Sequence, residues 1–219
     1  KIFKNKQAMT GLIMIFIVAF TAIFAPIIAL NDPEEINPVN KFIKSSQEYP
    51  LGADQLGRCV FSRLVYGARY SLGISIPTLF ILAIVSLSIG TVFAYLGGRF
   101  DSVFSIVCDV FMAFPPLIVV ISLVGALGQG IKNIVVAVVF SMWVWFAKIV
   151  RSFVLVEKNK EYITASKIAG CSDYKIITKH IIPNILPSLI VYFSTGIAGL
   201  MLMISGFSFL GLGIETGIP

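Results

Sequence analysis

Five long apolar runs constrain this 219-residue chain more than any other feature of its sequence. Each run is long enough to cross the roughly 30 Å of hydrocarbon in a bilayer, which takes about 20 helical residues. The runs are continuous and lack the alternation typical of a transmembrane barrel, so they predict helices. Because 57% of the residues are hydrophobic and only 13% are charged, we expect an all-α membrane protein, a helical bundle that crosses the bilayer several times. The runs lie at 8–30, 70–96, 103–127, 131–150 and 184–210.

The distribution of Lys and Arg predicts the orientation of these spans, since cytoplasmic loops carry the excess of positive charge. A cytoplasmic N-terminus places eleven Lys or Arg inside and six outside, so we expect that orientation, with 151–183 also inside. The first run is longer than the apolar core of a signal peptide, and we interpret it as a retained span. Five spans that begin inside end outside, so we expect a sixth span beyond Pro219 and further residues before Lys1.

The predicted organisation has three parts. Residues 1–30 contain the N-terminal segment and the first span, 31–69 form an extracytoplasmic loop, and 70–219 form the membrane core with a cytoplasmic loop at 151–183. In the outer loop, 54–71 has apolar residues spaced along one helical face. This spacing predicts an amphipathic helix that lies along the membrane surface.

The residues that usually carry enzyme chemistry are scarce. The sequence has no nucleotide-binding Gly-x-x-x-x-Gly-Lys-Ser/Thr motif, and His180 is its only histidine, so we expect no enzymatic activity and no cofactor in this chain. The three cysteines, Cys59, Cys108 and Cys171, lack metal-ligand spacing, and we interpret them as ordinary small residues. The formal charge of +6 is explained by basic residues beside the spans, so nucleic acid is not an expected partner.

Residues 151–183 form a basic segment between two apolar runs, where a soluble partner can reach it. No Pro or Gly interrupts 157–169, which predicts a helix that ends at Gly170. A Ser-Asp pair then offers N-cap chemistry for a second short helix at 174–180. Pro183 follows, at the expected start of the last span.

The first of these two helices has a face suited to close contact with another protein. Tyr162, Ala165 and Ala169 recur at helical spacing, and the two alanines allow a partner to approach closely. From these residues alone, packing of the helix against its own protein remains an alternative. A non-transporting scaffold or signalling subunit, whose basic loop recruits a kinase or a lipid headgroup, would share the charge pattern but would not explain the ordered small residues.

The stretch EYITASKIAGCSDYKIITKHIIPN resembles the conserved cytoplasmic Glu-Ala-Ala loop of ABC-importer permeases. Ala165, Gly170 and Pro183 match the central alanine, the glycine and the closing proline of that loop. Thr164 and Ser166 stand where the family usually has glutamate and a second alanine. Three further stretches resemble signatures of the dipeptide, oligopeptide and nickel branch: LGADQLGRCVFSRLVYGARYSLGIS at 51–75, FPPLIVVISLVGALGQG at 114–130 and SGFSFLGLG at 205–213.

This resemblance implies the fold of an ABC type I importer permease, a bundle of six helical spans. It also implies that the cytoplasmic loop docks in a groove of the ATPase subunit and transmits its closure. The implied partners are a second permease subunit, two ATP-binding cassette ATPase subunits and an extracytoplasmic substrate-binding protein, with membrane lipid around the spans. The predicted docking residues are Glu161, Tyr162, Thr164, Ala165, Ser166, Ala169, Gly170 and Pro183.

Within the branch, 140–152 and 199–213 are most similar to the nickel permeases, in particular to their second membrane subunit. The resemblance implies import of nickel, free or chelated, by alternating access, and a di- or oligopeptide importer is the alternative. The spans at 70–96, 131–150 and 184–210 contain no acidic residue, which argues against transport driven by an ion gradient.

The residues that line the transport pathway are less evident, and metal ligands are not identifiable from the sequence. Met201 and Met203 are two residues apart and do not share a helical face, so ordinary apolar packing also accounts for them. Pro77, Pro115 and Pro116 are candidates for bending the second and third spans. The candidate pathway residues are Asp109, Trp143, Met201 and Met203.

Overall fold

The computed structural model describes residues 5–211. Within that range the regular structure is helical, apart from one isolated β-bridge, and the prediction of an all-α protein is confirmed. Lys1 and Lys4, which contribute to the predicted orientation, lie outside the described residues. So do the end of the signature at 205–213 and the predicted sixth span.

The chain divides into two compact units, one containing residues up to Ile74 and the other Ser75–Gly213. In the first unit, Asn5 begins helix α1 (Lys6–Ile23) by accepting hydrogen bonds from the backbone N–H groups of the next turn. A short helix, α2 (Ala25–Ile28), follows it. The side chains of α1 are apolar and mostly exposed, as expected for a helix that faces lipid.

The segment predicted as an extracytoplasmic loop contains a tight turn at the start of the helix predicted there. Asp54 accepts the N–H of Leu56 and of Arg58 and forms a 2.8 Å ion pair with the Arg58 guanidinium. Partial burial pushes the pKa of Asp54 upward, but these donors and the guanidinium hold it below its ordinary value. Gly57, with φ of +77°, closes the turn. The prediction of a helix at 54–71 therefore fails at its start, because the turn occupies residues 54–59, whereas the helix begins at Val60 and continues into the second predicted span.

The helix that follows this turn is α3 (Val60–Leu96), which runs from the first unit into the second. It includes the second predicted span and passes through Pro77 without interruption. The remaining helices of the second unit are α4 (Gly98–Met112), α5 (Pro116–Leu127), α6 (Ile131–Lys158), α7 (Glu161–Ile168), α8 (Asp173–Ile176) and α9 (Ile182–Phe209), with a π-helical segment at Ile177–Ile181.

In the second unit, α3 and α6 cross at very short range. A Cβ added to Gly90 would lie 2.6 Å from the carbonyl oxygen of Ala147 and 3.0 Å from the Cβ of Val150. One turn away, the hydroxyl of Ser86 donates to the carbonyl of Trp143 at 3.2 Å. The absence of a side chain at Gly90 is what lets the two helices approach this closely.

The third apolar run, at 103–127, forms two helices rather than one. α4 ends at Met112 and α5 begins at Pro116, and the two are bent by 77°. Pro115 and Pro116 have no backbone N–H and cannot continue the hydrogen bonding of α4, which accounts for the break. The predicted bend at these prolines is confirmed.

Together, α4 and α5 run along α6 in the antiparallel direction. Near one end of α6, the Arg151 guanidinium bonds to the Asp101 carboxylate of α4 at 2.5 and 2.7 Å. Near the other end, Asn133 donates to the carbonyl of Leu127 in α5 at 2.9 Å. Contacts that advance in this order indicate one broken span rather than a re-entrant loop. Counted this way, residues 5–211 contain five candidate membrane spans.

Candidate docking loop and pathway residues

The first helix of the predicted docking loop begins later than predicted. α6 continues to Lys158, and α7 begins only at Glu161, so the predicted helix at 157–169 is interrupted by a turn. The reason lies in Glu157, a residue at the end of α6 that is only 5% exposed. Its carboxylate forms a 2.7 Å ion pair with Lys160 and accepts a hydrogen bond from the Tyr162 hydroxyl, which closes the turn.

The end of α7 agrees with the prediction. Gly170 has φ of +80°, the left-handed conformation that commonly terminates a helix. Its N–H donates to the carbonyl of Lys167 at 3.0 Å, and the N–H of Cys171 donates to the carbonyl of Ser166 at 3.1 Å. This pair of bonds is a complete Schellman motif. It satisfies two carbonyls that the end of the helix would otherwise leave free.

The second helix of the loop does not stop before the last span. Ser172 occupies the N-cap position of α8, although its side chain makes no capping bond. From Asp173 the chain is helical without a break to Phe209, so the prediction that Pro183 separates a short helix from the span is wrong. The π-helical segment is the physical reason, since its wider hydrogen bonding, in which the N–H of Ile182 reaches the carbonyl of Ile177, lets the helix pass a residue without an N–H.

One side of α7 is anchored in the protein. Ile163 is fully buried and belongs to an apolar cluster that also contains residues of α3, α6, α8 and α9. The hydroxyl of Tyr162 donates to Glu157 of α6 and accepts a 2.9 Å hydrogen bond from Asn184 of α9. Burial and the bond to Glu157 raise the pKa of Tyr162. These contacts tie α7 to α6 and α9, so Tyr162 holds the loop in place in addition to bordering its surface.

The opposite side of α7 is exposed. Ile168 is 83% exposed, an unusual state for a large aliphatic residue. In α8, Tyr174 is 78% exposed. Sequence reasoning missed both residues, because the search concentrated on the small residues, and only the position of Ile168 three residues after Ala165 pointed to it. Of the predicted docking residues, those exposed on α7 or at its end are Glu161, Tyr162, Thr164, Ala165, Ala169 and Gly170. Ser166 is half-buried, and Pro183 is exposed in the first turn of α9.

The four candidate pathway residues do not form one site. Asp109 of α4 is paired with Lys148 of α6 at 2.6 Å. Trp143 and Met203 both contact the apolar cluster formed by α3, α5, α6 and α9, and Trp143 also lines an apolar cavity of about 500 Å³ between α3, α4 and α6. Met201 is half-exposed. Within residues 5–211, no three His, Cys, Asp or Glu side chains are grouped so that they could hold a metal ion.

The chain matches two families of known proteins. Residues 86–219 match the family described as "Binding-protein-dependent transport system inner membrane component". Residues 1–46 match the "N-terminal TM domain of oligopeptide transport permease C". The two matches together leave residues 47–85 uncovered.

Curated relatives give a consistent result. The chain is 35% identical to the nickel transport system permease protein NikC of Escherichia coli, over 94% of this chain and 74% of that protein. It is 34% identical to the metal-staphylopine import system permease protein CntC of Staphylococcus aureus, over 99% and 75%. It is 36% identical to the dipeptide transport system permease protein DppC of Bacillus subtilis, over 97% and 67%. With its apolar spans and these matches, the chain belongs to the ABC-importer permeases of the dipeptide, oligopeptide and nickel branch.

Proposed function

We propose that this permease subunit imports nickel, free or chelated, by alternating access in a complex driven by ATP. Its partners in this proposal are a second permease subunit, two ATPase subunits that hydrolyse the ATP, and an extracytoplasmic substrate-binding protein. The N-terminus and the loop at 159–181 face the cytoplasm, as the charge distribution favours. No covalent bond is made or broken in this chain.

The observation that carries the proposal is the two-sided character of α7. Its inner side is fixed by buried Ile163 and by the Tyr162 hydroxyl bonds to α6 and α9. Its outer side presents exposed Ala165 and Ile168. An apolar helix face of this kind suits insertion into a groove of another protein. Because α7 is fixed to two spans, a force applied to it moves those spans instead of only bending the loop.

In the proposed cycle, ATP binding closes the two ATPase subunits and displaces α7 with the ends of α6 and α9. Displacement of these ends exchanges the inward-open and outward-open arrangements of the spans. The substrate-binding protein delivers its load to the outer mouth in the outward-open state. A ligand that binds the two arrangements unequally shifts the equilibrium between them, which is the requirement for coupling.

Two relatives support a metal substrate, and a third supports a peptide substrate. The permeases named for nickel and for metal-staphylopine are 35% and 34% identical to this chain, which favours a metal or a metal chelate. The dipeptide permease, at 36%, makes a peptide the second candidate. Differences of this size do not separate the two substrates.

The test is uptake by right-side-out membrane vesicles that contain the full complex of this chain, the second permease and both ATPase subunits. The binding protein is added on the outside, and ATP is supplied inside. We expect ATP-dependent accumulation of radiolabelled nickel that excess unlabelled dipeptide does not reduce. Accumulation of labelled dipeptide instead would contradict nickel as the substrate but would support the importer function. Absence of ATP-dependent accumulation of either would favour a scaffold role.

The docking face is tested separately with a matched pair of substitutions at Ala165. Ala165→Trp places a bulky side chain on the exposed face, whereas Ala165→Ser keeps it small. We expect the tryptophan variant to insert in the membrane but to lose its ATPase subunits during purification, and the serine variant to retain them. Equal retention by the two variants would contradict docking at this face.

A further inference from the structure

Tyr95, in the last turn of α3, lies where four helices meet. It is only 6% exposed, and its ring belongs to the apolar cluster that anchors the docking loop. Its hydroxyl donates to the Asp173 carboxylate, at the start of α8, at 2.5 Å. The two residues are 78 positions apart in the sequence, and the bond joins the end of one span to the docking loop.

Two lysines complete the arrangement around the same ring. The Lys158 ammonium, at the end of α6, donates to the Tyr95 carbonyl at 2.5 Å and lies 5.5 Å from the centre of its ring. The Lys167 ammonium, in α7, lies 5.2 Å from the ring centre. Both distances allow a cation–π attraction. Lys158 also places its positive charge at the C-terminal end of α3, where the helix dipole favours it.

We propose that Tyr95 is a positioning residue that transmits the movement of the docking loop to α3. The inference rests on the proposed function, since it concerns how a force on α7 and α8 reaches the spans. Apolar contacts are non-directional and allow surfaces to slide. A hydrogen bond from a hydroxyl to a carboxylate is directional and charge-assisted, so it fixes the position of α8 against the end of α3.

This role differs from simple packing in a way that can be measured. If Tyr95 only filled space, removal of its hydroxyl would have little effect, because the ring and its apolar contacts would remain. If the hydroxyl transmits movement, its removal leaves a folded complex in which ATP hydrolysis is no longer matched to transport. The number of ATP molecules hydrolysed per substrate imported is therefore the diagnostic quantity.

The experiment uses the complete complex in liposomes with its binding protein. Its substrate is radiolabelled nickel or dipeptide, whichever the uptake experiment above identifies. We expect Tyr95→Phe to raise the ATP hydrolysed per imported substrate roughly tenfold, the effect of losing one charge-assisted hydrogen bond. ATPase subunits should remain bound. Asp173→Ala should reproduce the effect, while Asp173→Asn, which keeps an oxygen acceptor, should recover much of the coupling.

Tyr192→Phe is the matched control. The ring of this tyrosine in α9 packs against Phe146 and Phe193, and phenylalanine keeps that ring. This variant should therefore keep the wild-type ratio of ATP hydrolysed to substrate imported. The double variant Tyr95→Phe with Asp173→Ala should be no worse than either single variant, because both remove the same bond. Additive effects, or an unchanged ratio in Tyr95→Phe, would overturn the inference. If Ala165→Trp abolishes ATPase binding while Tyr95→Phe stays coupled, this inference alone fails. If Ala165→Trp has no effect, the docking proposal and this inference fail together.

Discussion

Gly170 shows how one backbone angle shapes the docking loop. Its φ of +80° ends α7 and completes the Schellman motif. A Cβ at this position would meet no other atom within 4 Å, so the requirement for glycine within this chain comes from the backbone conformation and not from lack of space. A left-handed conformation costs a residue with a side chain about 1–2 kcal/mol.

Substitutions at Gly170 should therefore rank by their tolerance of that angle. We expect Gly170→Asn to keep most of the substrate uptake, because asparagine adopts the left-handed conformation readily. Gly170→Val should lose most of it, because a β-branched residue is an outlier there. Uptake by vesicles that contain equal amounts of each variant is the measurement. An equal loss in both variants would show that the partner, rather than the angle, requires glycine.

Ile163 and Ile168 offer a second comparison at the residue scale. The same change, isoleucine to alanine, is made on the same helix at a residue that is 0% exposed and at one that is 83% exposed. We expect Ile163→Ala to destabilise the protein by about 2–5 kcal/mol, as for other buried aliphatic residues. Ile168→Ala should leave the free energy of unfolding nearly unchanged but weaken retention of the ATPase subunits. Thermal unfolding and co-purification measure the two effects. A loss of stability in Ile168→Ala comparable to that in Ile163→Ala would contradict the exposed position of its side chain.

These two isoleucines also show what residue-level reasoning from the sequence could not provide. Both occur in a helix with no strong apolar stripe, and their chemical identity is the same. The side that faces the protein depends on contacts with α3, α6 and α9, which are distant in the sequence. Gly170 was identified correctly as the residue that ends the helix, because a glycine after an uninterrupted helical stretch indicates the local backbone conformation directly.

At the scale of the elements, the crossing of α3 and α6 gives a testable prediction about packing. Gly90→Ala should lower the melting temperature of the purified complex, because the new Cβ would lie 2.6 Å from a backbone oxygen and the helices would have to separate. Overpacking of this kind costs about 1–3 kcal/mol.

Gly199→Ala, in α9, is the control, because nothing lies within 4 Å of its Cβ position. Alanine there should be neutral or slightly stabilising, by up to about 1 kcal/mol from helix propensity. If Gly90→Ala were as stable as the control, the close approach of α3 and α6 would be contradicted.

The elements themselves were largely predictable, since four apolar runs coincide with long helices and the fifth with the bent pair. Boundaries failed for three physical reasons. The start of α3 depends on the turn made by Asp54, the separation of α6 from α7 depends on buried Glu157, and the passage through Pro183 depends on a π-helical segment. Each involves side-chain hydrogen bonds or a change of helix type that apolar periodicity does not register.

At the scale of the whole molecule, α6 is the central helix of the second unit. It contacts α4, α5, α9 and the π-helical segment, and it crosses α3 at Gly90. Its last residue, Lys158, immediately precedes the docking loop and bonds to the end of α3. A displacement of the loop therefore acts first on the helix that contacts most of the others. The sequence did not distinguish the fourth apolar run, which forms most of α6, from the other four runs. The central position of a helix depends on which helices pack against it and not on its composition.

The orientation of this unit can be tested with α6 itself. Its 28 residues span about 42 Å at 1.5 Å per residue, which is long enough to cross the hydrocarbon, so we expect its two ends on opposite sides of the membrane. We expect a membrane-impermeant maleimide to label half-exposed native Cys171 in inverted vesicles and not in right-side-out vesicles. Lys132→Cys, exposed in the first turn of α6, should show the opposite pattern in a Cys171→Ser background.

Buried Cys59 and Cys108 provide the internal control for that labelling, since neither should react quickly from either side while the protein is folded. The excess of Lys and Arg that faces the cytoplasm in the predicted orientation would be exposed to the outside if the orientation were reversed, against the usual bias of short loops. Labelling of Cys171 from the outside would therefore contradict the charge argument. It would also remove the docking loop from the compartment in which ATP is hydrolysed, so the proposed coupling depends directly on the result of this labelling.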